Sequence, residues 1–187
     1  NGPKRKKGSQ SDLLAFFRVF RNPPFRSAAL GYFGHMWELY TFWTFVPIML
    51  ETFMLSHPNA AINTPLLSFF IIGIGSVSCV IGGYVAESFG NKRIAFILLA
   101  LSAACCLVSP FMFSLESEII FILFLLFWGI VVIADSPLLS TLVAHNASAE
   151  IKGTAITIVN SIGFSITIIS ILLINGIREL TDSNSIY

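Results

Sequence analysis

The sequence predicts an all-α, polytopic membrane protein built as a bundle of transmembrane helices. Three observations lead to this fold class. The chain of 187 residues is 55% hydrophobic but only 11% charged, whereas soluble domains contain about 25% charged residues. Five separate stretches are apolar over the length of a bilayer crossing, which takes about 20 helical residues. The cations gather in segments that would lie at one face of such a bundle.

Each predicted span is a continuous apolar stretch, without the alternation that is typical of a membrane β-barrel. Backbone polar groups in lipid must be satisfied within the segment, which requires helices. Thr64 and Pro65 predict the start of the second helix, as an N-cap and a proline at the first helical position. The predicted bundle occupies residues 27–187, with spans at about 28–54, 65–87, 94–112, 119–143 and 154–177.

Residues 1–26 are predicted to form a cytoplasmic basic linker ahead of the bundle. They include an amphipathic segment, Asp12 to Arg21, which lies along the membrane surface or stays a disordered loop. Of the 11 Lys and Arg residues, all except Arg178 fall on one side of a five-span arrangement. Because cytoplasmic loops are rich in cations, we assign this side to the cytoplasmic face of a cell membrane. The N-terminus then lies in the cytoplasm.

The stretch Gly31 to Phe45 of the first span contains His35 and Glu38, three positions apart and therefore near one face of a helix. Ionisable groups inside a span are costly and are functional candidates by default. Histidine titrates near neutral pH, so the two side chains could together bind and release a proton. Alternatively, Glu38 could hold a cationic part of a substrate. A structural interpretation, in which the two side chains satisfy each other, stays open.

An aromatic strip is predicted on the same helix from Trp37, Tyr40 and Trp43, which follow one another at intervals of three. Such a strip could stack against a planar or cationic solute. Contact with lipid or with neighbouring helices is the alternative.

The fourth and fifth spans contain further polar candidates. Asp135 comes two residues before Pro137, which bends a helix, so its carboxylate could take part in gating or could cap local polar groups. Asn160 lies near a polar stripe that is predicted to face protein, as helix–helix contact or as cavity lining. The stripe comprises Thr154, Thr157, Ser161 and Ser165.

The remaining chemistry-bearing residues indicate neither an enzyme nor a metal site. The three cysteines show no metal spacing and no disulfide framework, and His57 and His145 have no partner at ligand spacing. No phosphate-binding motif of a nucleotide-hydrolysing motor is present, and no nucleophile is accompanied by a base. A net charge of +1 does not favour nucleic acid. We therefore expect no cofactor and no metal.

The polar stretch GYVAESFGNKR, Gly83 to Arg93, separates the second and third spans. Before it, Gly75, Cys79 and Gly83 form a small-residue face that allows a close helix approach. Gly90 can take the left-handed conformation that ends a helix, and Lys92 and Arg93 hold the loop on the cytoplasmic side. Glu87 could pair with these cations or reach a helix N-terminus.

This stretch resembles the signature loop of the major facilitator superfamily, written G-x-x-x-D-R-x-G-R-R-R. Gly83, Gly90, Lys92 and Arg93 match, whereas Glu87 replaces the usual aspartate. The weakened pattern is similar to the copy in the C-terminal half of the family. The segment 134–164, ADSPLLSTLVAHNASAEIKGTAITIVNSIGF, is similar to the family's acidic connector followed by Lys/Arg-Gly and a helix start.

The resemblance covers residues from about 22 to 177 and implies helices seven to eleven of a twelve-helix transporter. It implies that the chain is incomplete, with the N-terminal six-helix half as its partner and the substrate between the halves. The expected function is secondary active transport of a small solute by alternating access, driven by protons. A scaffold or receptor that keeps the fold without transporting is the alternative. The fold does not select the substrate or the direction of transport.

Overall fold

In a computed structural model of the chain, residues 20–184 are described, with side chains as far as residue 181. These residues form a helical bundle without strands in the described range. The helices are α1 (Pro23–Ser56), α2 (Thr64–Phe89), α3 (Asn91–Met112), α4 (Glu118–Ala134), α5 (Ser136–Asn146) and α6 (Lys152–Asn184). Most of the predicted amphipathic segment and of the basic linker, residues 1–19, lies outside the described residues.

The described part of the chain contains five helical segments that are long and apolar enough to cross a membrane. The predicted all-α bundle of five spans is therefore confirmed. The fourth predicted span is a pair of helices, because α4 ends and α5 begins on either side of Asp135. Together α4 and α5 form one crossing of 29 residues.

Side-chain caps start two of the helices. The Asn63 side chain accepts a hydrogen bond from the backbone N–H of Leu66 at 3.1 Å, so the cap of α2 is Asn63 and the prediction of Thr64 is wrong by one residue. Thr64 is instead the first residue of the helix, and Pro65 lies in the first turn, where its missing N–H costs nothing. Ser117 caps α4 in the same way, through the backbone N–H of Ile120.

The α1 helix is central, with contacts to α2, α4, α5 and α6. Its first half belongs to one buried cluster, which includes Phe25 and Tyr32, and its second half belongs to another, which includes Phe42 and Phe53. His35 is buried where the two clusters meet, between Tyr32 of the first and Leu39 of the second. An imidazole at this point is far from both ends of α1.

The closest helix approach is between α2 and α4. A Cβ atom added at Gly129 would lie 2.5 Å from the carbonyl oxygen of Ile71, and one at Gly82 would lie 3.0 Å from that of Ala134. Gly75 faces the Ile133 side chain, as the small-residue face predicts, but nothing lies within 4 Å of a Cβ at Gly83. The contacting face therefore ends at Gly82, and the prediction for Gly83 is wrong.

Large apolar side chains cover the outside of the bundle. Leu107 is 77% exposed and Phe96 is 72% exposed, and many other large side chains are exposed in the same way. A soluble monomer rarely exposes so continuous an apolar surface. Such a surface is stable against hydrocarbon, and the helices beneath it are held together by close packing and interhelical hydrogen bonds.

Candidate functional site: a buried ion pair at a broken span

The break between α4 and α5 is caused by Pro137. Proline has no N–H to donate to the carbonyl four residues earlier, which is that of Ile133. This carbonyl is contacted by the backbone N–H of Asp135 and accepts a hydrogen bond from the Cys79 thiol of α2 at 3.3 Å. The neighbouring helix thus partly replaces the bond that the proline removes, and Asp135 lies at the bend.

His35 and Asp135 form a buried ion pair across this break. His35 Nδ1 lies 2.9 Å from Asp135 Oδ1, and the side chains are 2% and 1% exposed. The other ring nitrogen, Nε2, lies 2.8 Å from the Ser136 hydroxyl, the first residue of α5. The imidazole of α1 is therefore held by two consecutive residues of the hinge.

The imidazole is the partner of the Asp135 carboxylate inside the bundle, since Nδ1 and Oδ1 are within ion-pair distance. The second carboxylate oxygen, Oδ2, is buried and has no hydrogen-bond partner among the described residues. A buried carboxylate that lacks hydrogen bonds is strongly destabilised when its cation is absent. The stability of the ionised carboxylate therefore depends on His35.

Glu38 has a different set of partners. Its Oε1 accepts hydrogen bonds from the Ser102 hydroxyl of α3 at 2.5 Å and from the indole N–H of Trp128 on α4 at 3.2 Å. His35 and Glu38 make no hydrogen bond or ion pair with each other in the described structure. The interpretation in which these two side chains satisfy each other is contradicted, since each is satisfied by other helices.

The predicted aromatic strip is present in part. The rings of Tyr40 and Trp43 are in contact, with centroids 5.3 Å apart, and Tyr40 also meets Phe164 of α6 at 5.9 Å. Trp37 is 36% exposed and has no ring contact within the described range. The indole N–H of Trp43 is buried and without a hydrogen-bond partner among those residues, so it remains a donor that a bound polar group could use.

The polar stripe predicted on α6 faces outward. The hydroxyls of Thr157, Ser161 and Ser165 donate to backbone carbonyls of their own helix, and these side chains are exposed. The stripe therefore makes no helix–helix contact among the described helices, because α6 meets α1 through Gly163 and Ser170 instead. The alternative, in which the stripe lines a cavity, stays a prediction. Asn160 is half-buried, with no side-chain hydrogen bond to another described residue.

The loop between α2 and α3 contains the glycine that its sequence requires. Gly90 ends α2 with φ of +88° and ψ of 132°. The positive φ agrees with the prediction, but ψ lies outside the predicted left-handed helical region. Glu87, Lys92 and Arg93 are exposed, and Glu87 makes no ion pair with the two cations among the described residues. The predicted pairing of Glu87 is therefore not formed in this conformation.

Several residues of the site could not be identified from the sequence alone. Ser102, Trp128 and Ser136 hold the two ionisable groups, and Cys79 supports the hinge. A weak signal exists for Ser136, which stands directly between Asp135 and Pro137. Ser102 and Trp128 lie in apolar stretches like many others, and only the packing of α3 and α4 on α1 reveals them. Among the described residues, no group of three metal-ligating side chains is assembled.

One comparison with known proteins is positive. A family model described as Major Facilitator Superfamily matches residues 1–171. No curated protein and no solved structure matches the chain. The matched region includes His35 and Glu38 of α1, the hinge and the loop between α2 and α3.

Proposed function

Because the chain belongs to the major facilitator superfamily, and is therefore an integral membrane protein of the transporter class, we propose that it belongs to a proton-coupled secondary active transporter for a small solute. The observation that carries the proposal is the buried pair of His35 and Asp135 at the break between α4 and α5. An ionisable pair inside a span is expensive to maintain, and here it joins a central helix to a hinge.

Proton binding at this pair would change how α1 and α5 interact. A proton that reaches the Asp135 carboxylate neutralises it, and the attraction to a charged imidazole is lost. The hinge residue is then free to separate from α1, and the same proton can leave when the pair forms again on the other side. A proton gradient can drive alternating access only if protonation shifts the balance between two conformations. The contact between His35 and Asp135, formed in one state and broken in the other, would provide that dependence.

The neighbouring groups suit contact with a solute. Glu38, Tyr40 and Trp43 follow His35 along α1 and are half-buried, and the free indole N–H of Trp43 offers one donor. Glu38 would attract a cationic group, while Tyr40 and Trp43 would stack on an apolar or planar part. Asn160 on α6 would add an amide to the same path. The solute class most compatible with this set is a small organic molecule with a polar or cationic group.

A second six-helix half would complete the path, with the signature loop acting in the change of conformation. The outward-facing hydroxyls of α6 support this arrangement, since a polar stripe inside the membrane is stabilised by facing protein or a water-filled cavity. The loop residues of that signature are Gly83, Glu87, Gly90, Lys92 and Arg93. The cation-rich end of the bundle would face the cytoplasm.

The test uses the complete protein in proteoliposomes and a panel of radiolabelled solutes. Accumulation driven by an imposed pH gradient and exchange without a gradient are measured separately. Asp135→Asn should lose accumulation but keep exchange, because exchange needs no net change of protonation. Glu51→Gln is the matched control, since Glu51 is an exposed carboxylate on α1, and it should behave as the unmodified protein. Accumulation that survives in Asp135→Asn would remove the pair from the coupling, and the absence of any transported solute would favour a scaffold.

A further inference from the structure

A cleft of about 660 Å³ lies at the cation-rich end of the bundle, apart from the buried pair. It is formed where the end of α2 and the start of α3 meet the last turns of α5. The lining combines three aromatic or aliphatic side chains with three that are cationic or titratable: Phe89, Phe96, Leu142, Lys92, Arg93 and His145. A volume of this size is within the range of about 300–1,000 Å³ that small ligands occupy.

The cations of the cleft are uncompensated. Lys92 and Arg93 are exposed and form no ion pair with any described residue, although Glu87 lies only a few residues away in the sequence. His145 stands exposed on the opposite wall, at the end of α5. Positive potential is therefore concentrated at the polar end of the cleft, which favours an anionic group.

The apolar part of the lining opens on the outside of the bundle. Phe89 is 62% exposed and Phe96 is 72% exposed, so both rings would face hydrocarbon at the depth where α3 enters the membrane. A ligand that fits this cleft is anionic at one end and apolar along its length. A soluble anion would leave the apolar wall unused.

We infer that the cleft between the α2–α3 loop and α5 is a binding site for an anionic phospholipid. The phosphate lies between Lys92 and Arg93, and an acyl chain runs along Phe96 and Leu142. Membrane leaflets that carry anionic lipids attract clusters of Lys and Arg at the ends of spans. Because the signature loop forms one wall, lipid binding there would restrain the movement of that loop.

The cationic N-terminal segment of the chain itself is a poorer occupant. Residues 1–26 contain seven Lys and Arg side chains, which would be repelled by Lys92 and Arg93. The lipid is favoured by charge at one end of the cleft and by hydrophobicity at the other. The inference is independent of proton coupling, and binding can be measured in detergent without transport.

The experiment titrates the delipidated protein with dioleoyl phosphatidylglycerol or dioleoyl phosphatidylcholine, and counts bound lipids by native mass spectrometry. The anionic lipid should bind more tightly. Each cation near an anionic lipid changes affinity by about fivefold, so Lys92→Gln with Arg93→Gln should weaken the binding of phosphatidylglycerol by about 25-fold. Arg26→Gln with Lys152→Gln is the matched control, because both are exposed cations at the same end and outside the cleft.

Several results would separate this site from general attraction of charge. Equal loss in the control pair would show that the cations act together at the surface and would overturn the inference. Competition by glycerol 3-phosphate as strong as that by the lipid would identify a soluble anion as the ligand, again against the inference. Phe96→Ala, which leaves every cation in place, should weaken binding of the long-chain lipid without affecting monodispersity, and unchanged affinity would contradict an acyl chain in the cleft.

Discussion

His35 Nδ1 lies 2.9 Å from Asp135 Oδ1, and this contact joins the central helix α1 to the break between α4 and α5. The pair is buried, and the Ser136 hydroxyl holds the second imidazole nitrogen. Two residues separated by 100 positions are therefore one structural unit. The stability of each charged group therefore depends on the presence of the other.

Removing one partner of this pair should destabilise the protein more than removing both. His35→Leu leaves a carboxylate buried without its cation, which costs about 3–5 kcal/mol when a buried pair is broken. The double variant His35→Leu, Asp135→Asn carries no such charge and should recover part of the loss. The free energy of unfolding in mixed micelles with increasing dodecyl sulfate is the measurement. Equal stability of the single and double variants would show that Asp135 does not need His35.

The two hydrogen bonds of Glu38 should contribute more than a neutral interhelical bond. Ser102→Ala removes a donor to a carboxylate and should cost about 1.5–3 kcal/mol, as do hydrogen bonds to charged groups. The comparison variant is Thr41→Val, since Thr41 makes a bond of 3.0 Å to Ser170 between neutral hydroxyls. That change should cost about 0.6 kcal/mol, the average within membranes. Similar losses in unfolding free energy for both variants would argue against an ionised Glu38.

The close approach of α2 and α4 should be sensitive to one added methyl group. Gly129→Ala places a Cβ at 2.5 Å from the Ile71 carbonyl oxygen, and overpacking of this kind costs about 1–3 kcal/mol. Gly83→Ala is the control, with nothing within 4 Å, and it should be neutral or stabilising by up to about 1 kcal/mol. Thermal unfolding in detergent would compare them. If Gly83→Ala were the more damaging change, the packing face described for α2 would be incorrect.

The Cys79 thiol should matter only while Pro137 is present. Cys79→Ala removes the bond to the Ile133 carbonyl, whereas Pro137→Ala supplies the missing N–H from within the helix. In a double-mutant cycle the two changes should show a coupling of about 0.5–1 kcal/mol. Cys106→Ala, at an exposed thiol of α3, should show no coupling to Pro137. Additive effects of Cys79→Ala and Pro137→Ala would mean that the thiol does not support the hinge.

The extent of the bundle could be predicted from the sequence because the cost of burying polar backbone in lipid acts on each segment by itself. Apolar length identifies a span without any knowledge of its neighbours. The same holds for Gly90, where the end of a helix needs positive φ, and for Pro137, which lacks a donor wherever it occurs. Even here the cap of α2 was misplaced by one residue, because Asn63 and Thr64 are equally suitable caps in sequence.

The partners of the ionisable groups could not be predicted in this way. Spacing along α1 suggested that His35 and Glu38 face each other, but side chains on one helix face point toward whichever neighbours pack there. His35 meets α5, Glu38 meets α3 and α4, and the polar stripe of α6 turns outward. Those contacts depend on how helices cross, which local periodicity does not determine.

The sequence by itself determined that the chain crosses a membrane as helices, where those helices lie, and that His35, Glu38 and Asp135 fall within them. Only the tertiary structure decided that His35 pairs with Asp135, that Ser102 and Trp128 hold Glu38, and that Cys79 supports a broken span. The physical reason is that insertion into lipid is a property of each segment, whereas the pairing of buried charges arises between segments that pack after they are inserted.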